Sequence, residues 1–288
     1  MASGVLTYAR SRAKVVQERA RRVPPVTGDP PPVEDVGQYC RVNRTNAALA
    51  AAIAGGVLVV SSFVSLSVVA AAVGALCVVA AFGWTHILGV PARKSQSTAI
   101  GLSALLSVIL AATVPGPSFL VWFPACVVLG VGAVFMIQLL RGTGQSHRLE
   151  STLGATSGVV TICMGSGWVG AQRLAADAAG PGMTLVAGLS IVVAAAVALV
   201  PFPDRFVAPA VVVLAALAGP LGALLFTDVP ALAAGLVGVA CGAVVAGTRR
   251  LVLARETGLS VPAAVSAGVS PVLALGAVVY FLASLLLA

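Results

Sequence analysis

The sequence predicts an all-α, polytopic integral membrane protein with about nine transmembrane helices. Three observations carry that class. Of its 288 residues, 59% are hydrophobic and only 9% charged, where soluble domains carry roughly 25% charged residues. Apolar segments of about 20 residues recur from Asn46 to the C-terminus, each long enough to cross ~30 Å of hydrocarbon as a helix. The alternating ten-residue strands of a membrane β-barrel are absent from the pattern.

Residues 1–44 form a basic tail followed by a Pro-rich linker. In "VLTYARSRAKVVQERARR" (5–22), Leu6, Ala9, Ala13, Val16 and Ala20 fall three or four apart among six basic residues. That spacing suits a helix lying on a cytoplasmic leaflet, and equally a solvated tail, because the stripe is mostly alanine. "VPPVTGDPPPVEDVG" (23–37) then reads as an extended linker. The tail is too long and too charged for a signal-peptide n-region and is expected to stay in the mature protein.

Residues 45–288 read as the transmembrane domain. Charged residues, Pro and Gly cut it into spans at 46–63, 66–88, 98–114, 119–140, 151–171, 183–201, 206–226, 230–248 and 262–287. The first two share an uncharged run from Arg44 to Arg93 and divide at Ser61, Ser62 and Ser65, because one helix of that length would overshoot a bilayer. With the N-terminus inside, 16 of the 17 Lys and Arg residues fall on the cytoplasmic side and only Arg173 outside. Such asymmetry orients a membrane protein N-in and C-out. "VVLGVGAVFMIQLLRG…RLESTLGATSGVV" (127–160) parallels "GLVGVACGAVVAGTRR…RETGLSVPAAVSAGVS" (235–270), which suggests a 1+4+4 parallel repeat of 66–171 and 183–287.

The net charge of +8 is concentrated in the tail and loops, which points to anionic lipid rather than nucleic acid. No Asp, Glu, Lys or Arg stands in the middle of a span, which argues against a buried-carboxylate pump. Two histidines, His86 and His147, and five scattered cysteines show no ligand spacing, so no metal and no cofactor are expected. "MGSGWVG" (164–170) lacks the strand that a phosphate loop or nucleophile elbow needs and reads as close packing through small residues. No catalytic residue emerges.

Four prolines, Pro124, Pro209, Pro220 and Pro271, lie inside spans, where each removes a backbone hydrogen bond. "AGPLGA" (218–223) and "GVSPVLALG" (268–276) are therefore the candidates for unwound, cavity-lining backbone, with Pro220, Pro271 and Ser270 as substrate-binding residues. Arg141, Arg148, Arg249 and Arg250 form a basic inner surface that could hold a phosphate-bearing headgroup. In "GWTHILGVPARK" (83–94), Trp84 suits the aromatic belt, and His86 marks where the second span leaves the bilayer.

The Ala/Val/Gly-rich style, "GWTHILGVP" and the arginine-ended helix before "RLESTLGATSGVV" resemble a family of actinobacterial polytopic membrane proteins loosely labelled permeases. The fourth and fifth spans alone are similar to the amino-terminal half of CDP-diacylglycerol synthases. The polar Ser, Lys and Asp signature of those enzymes is missing here apart from Asp228, so their activity does not carry over. The expectation is a non-enzymatic, multi-pass protein of the bacterial plasma membrane. It would be a permease-like carrier of lipidic or small neutral substrates, or a membrane subunit of a cell-envelope complex. The alternative is a lipid-modifying enzyme at the cytoplasmic leaflet, built on Arg141, Arg148, Glu150, Arg249, Arg250 and Glu256. The expected partners are membrane lipids, with a second copy of the chain or envelope proteins as further ones.

Overall fold

The fold is that of a computed structural model, which describes residues 33–88, 93–115, 120–140, 148–176, 182–254 and 259–286. The tail helix and the Arg141 to His147 loop lie outside these residues, as do Arg255 and Glu256. Two compact units are present, Met1–Tyr39 and Cys40–Ala288. Of the first, only the opening of α1 is described. All described regular structure is helical: α1 (Val33–Ser62), α2 (Leu66–Ile87), α3 (Arg93–Thr113), α4 (Phe123–Leu140), α5 (Arg148–Cys163), α6 (Ser166–Ala176), α7 (Gly182–Ala198), α8 (Asp204–Phe226), α9 (Ala231–Leu253) and α10 (Val261–Leu286). Among the described residues, seven of these are long and apolar enough to cross a membrane: α1 from Thr45, α2, α3 from Lys94, α4, α8, α9 and α10.

Local chemistry sets several boundaries. Ser61 and Ser62 turn their hydroxyls back onto the Leu58 and Val59 carbonyls and end α1. Ser65, in extended backbone, then accepts from the Val68 N–H as the N-cap of α2. Pro124 sits at the second residue of α4, where its missing N–H costs nothing. Pro30, Pro31 and Pro32 directly precede α1, so the end of the expected linker is already helical.

Three expectations about the helices are corrected. The stretch 151–171 is two helices, α5 and α6, joined by a turn at Met164 and Gly165. There the Gly165 N–H bonds to Ile162 O, one residue short of the α-helical partner, and Trp168 N–H bonds to Gly165 O. "AGPLGA" and "GVSPVLALG" stay inside continuous helices, α8 and α10. The expected end of a helix at residue 248 moves out to Leu253, which brings Arg249 and Arg250 into α9.

Packing explains the break at Gly165. A Cβ on Gly167 would stand 2.3 Å from the Ala277 N and from Gly276 backbone atoms, so α6 can seat on α10 only through glycine. Trp168, fully buried, fixes that seat with Nε1–H donating to Val272 O at 2.9 Å. Small residues make the other close crossings as well, as expected where helices separate from lipid without a hydrophobic driving force. Gly238 meets Ala215 O and Gly219 meets Ala234 O between α8 and α9. Gly83 meets Pro262 O between α2 and α10, and Gly268 meets Ala47 O between α1 and α10.

The neighbours of α2 to α6 are not those of α7 to α10. α7 packs on α9 and α3 packs on α5, whereas neither α2 with α4 nor α8 with α10 makes a comparable contact. Charge is segregated between the two ends of the bundle. Asp204, Arg205, Arg249 and Arg250 lie at the end shared by Trp84, Lys94 and the start of α5. Arg173 lies at the other end, donating to the Ala111 and Val114 carbonyls at 2.8 Å each and capping α3.

Candidate functional site

The site is built around the first half of α10. Ser266 donates to Ala80 O of α2 at 2.8 Å, next to the Gly83–Pro262 crossing. Gly268 holds the opposite flank against α1. With both flanks fixed, the face of α10 that carries Ala267, Ser270 and Pro271 turns toward α9, α2 and α5, and a gap remains. This groove has a volume of about 260 Å³ and is lined by Trp84 and Ile87 of α2, Thr161 of α5, Thr248, Leu251 and Val252 of α9, then Leu259, Ala267, Ser270 and Pro271. That size lies just below the ~300–1,000 Å³ typical of small-molecule sites, and the groove is open along one side. A much smaller crevice of about 30 Å³ runs on the other side of Pro271, along Ala47, Ala51, Ala198, Val245 and Arg249. Thr248, Val252 and Pro271 border both.

The lining is apolar with a few polar atoms, most of them already engaged. Thr248 Oγ1 donates to Val244 O at 2.8 Å, and Ser270 Oγ to Ser266 O at 2.7 Å. Trp84 Nε1–H donates to Gly154 O at 2.9 Å, and its ring fills the space left open by Gly158. Trp84 is therefore a partly buried bridge from α2 to α5 rather than a belt residue facing lipid. His86 remains partly exposed, with Nδ1 2.9 Å from Phe82 O and no second ligand within the described residues. Pro271 offers no N–H to the Ala267 carbonyl, and both residues line the groove.

The residues singled out from sequence separate in space. Pro271 and Ser270 line the groove. Pro220 stands away from it, its ring against Gly235 between α8 and α9, toward the Arg173 end. Arg249 is buried and turned inward. Its Nε–H donates to Asp204 Oδ1 at 3.0 Å, one terminal nitrogen donates to the Ala198 and Val200 carbonyls, and the other to Phe202 O at 3.3 Å. Arg250 is exposed and reaches Asp204 Oδ2 at 3.1 Å. Arg148 opens α5, and Arg141 lies outside the described residues.

Sequence reasoning missed two features. Thr161, in the last turn of α5, faces the groove. A second polar spot joins α3, α4 and α5, where Gln96 and Gln138 both donate to Ser151 Oγ, at 3.3 and 3.0 Å. Among the described residues no group of three or more His, Cys, Asp or Glu side chains could hold a metal ion. No family model matches the chain, and neither a curated protein nor a solved structure matches it.

Proposed function

We propose that the protein is a non-enzymatic, multi-pass carrier of the bacterial plasma membrane that takes a lipidic or small neutral molecule into the groove at Pro271. It crosses the bilayer nine times, N-in and C-out, with the end bearing Asp204, Arg249 and Arg250 in the cytoplasm. The observation that carries the reading is the groove itself: about 260 Å³, apolar, bordered by four helices, and without a charged side chain among its described lining residues. An uncharged apolar cavity favours an uncharged apolar guest, since an ion buried there would go unpaired. The segregation of cations between the two ends supports the orientation.

Two rival readings fit less well. A pure assembly subunit calls for a solid bundle where the groove lies. A lipid-modifying enzyme calls for Arg249 to face a headgroup, whereas its N–H groups are taken by Asp204 and by three backbone carbonyls. The test is native mass spectrometry of the protein purified in mild detergent. Wild type is expected to retain a lipid in stoichiometric amount, and Ala267→Phe, which fills the groove, to lose it. A stable protein partner with no lipid in either form would favour the subunit reading.

A further inference from the structure

The hydrogen-bonding capacity of the groove is lopsided. The donors of Thr248, Ser270 and Trp84 are spent on carbonyls. A hydroxyl that donates keeps its acceptor lone pairs, so Thr248 and Ser270 remain acceptors toward a guest. Pro271 adds another: without an N–H at that position, the Ala267 carbonyl loses its helical donor. Thr161 is the exception, since its hydroxyl gives its hydrogen to no partner among the described residues. Among the described lining residues no cation complements these acceptors, and Arg249 borders only the neighbouring crevice and is internally engaged. An apolar, uncharged, acceptor-rich cavity matches a guest that is apolar, uncharged and brings a hydrogen of its own.

We propose that the groove binds a neutral lipid alcohol of the diacylglycerol type. Its hydroxyl donates to the Ala267 carbonyl freed by Pro271 and accepts from Thr161, and its chains lie along Ile87, Leu251 and Val252. The inference rests on the carrier reading and gives that reading a substrate class. A phosphate monoester on the same chains is rejected, because it adds negative charge and further acceptors where neither is matched.

The test is equilibrium binding of dioleoylglycerol, its terminal methyl ether and dioleoyl phosphatidic acid to the purified full-length protein in mild detergent. Wild type is expected to bind the alcohol about tenfold tighter than the ether, which leaves the carbonyl unmet. Phosphatidic acid is expected to bind at least tenfold more weakly than the alcohol. Pro271→Ala returns an N–H to Ala267 and is expected to bring alcohol and ether within about twofold, in a helix that the change favours. Thr161→Val is expected to weaken the alcohol about fivefold. Equal binding of alcohol and ether to wild type, a preference that survives Pro271→Ala, or tight binding of phosphatidic acid would each overturn the lipid-alcohol assignment and leave the carrier reading standing. If none of the three lipids binds, the lipid-alcohol assignment falls, and the carrier reading is decided by the native mass spectrum.

Discussion

Arg249 of α9 and Asp204 of α8 lie 3.0 Å apart, and the arginine side chain, only 3% exposed, also reaches the carbonyls that end α7. One guanidinium therefore ties three helices together at the end of the bundle where the groove and its neighbouring crevice lie. Its charge sits where the unpaired carbonyls of α7 concentrate negative potential. Removing it leaves a carboxylate and several carbonyls without their partner. Arg249→Met is expected to destabilise the protein by about 3 kcal/mol, read by reversible equilibrium unfolding in detergent. Arg250, its exposed neighbour on the same carboxylate, is expected to cost under about 1 kcal/mol as Arg250→Ala. Equal losses from the two would show that Arg249 is not the buried member of the pair.

The break between α5 and α6 follows from the crossing of Gly167 over Gly276. A methyl group at Gly167 meets backbone, which cannot yield. Gly167→Ala is expected to cost 3 kcal/mol or more, at or above the ~1–3 kcal/mol usual for overpacking, or to abolish assembly in detergent. Gly132, on the outer face of α4, has nothing within 4 Å of the same methyl position. Gly132→Ala is expected to be neutral or to stabilise by about 0.5–1 kcal/mol. Thermal unfolding of the pair checks the difference.

Orientation is tested by single cysteines in a background freed of the native five. Lys94→Cys and Arg250→Cys are expected to react with a membrane-impermeant maleimide only from the cytoplasmic side. Asp228→Cys, in the exposed turn between α8 and α9, is expected to react only from the outside. Labelling of Lys94→Cys and Asp228→Cys from one side would remove the nine-crossing arrangement.

The helical class and most helix positions were legible because length, apolarity and serine or proline punctuation act locally. Ser61, Ser62 and Ser65 mark the first division in sequence, and their hydroxyls make it in the structure. The break at Gly165 was not legible, since hydrophobicity runs on through residues 151–171 and the cause is a glycine crossing more than 100 residues away. Likewise "TRRL" gives two adjacent arginines the same local meaning, and only the phase of α9 buries the first and exposes the second. Pro220 and Pro271 look alike in sequence. They differ because one packs on a glycine of the neighbouring helix and the other borders a gap.

The groove as the seat of an apolar guest is tested most directly by photo-crosslinking in native membranes. The probe is a diazirine-bearing dioleoylglycerol, and the labelled peptides are mapped by mass spectrometry. The account predicts label concentrated on Val252, Ala267 and Ser270, displaced by unlabelled dioleoylglycerol and lost in Ala267→Phe. Label spread over outward-facing residues such as Leu217 and Leu221 of α8, undiminished by competitor or by Ala267→Phe, would contradict it.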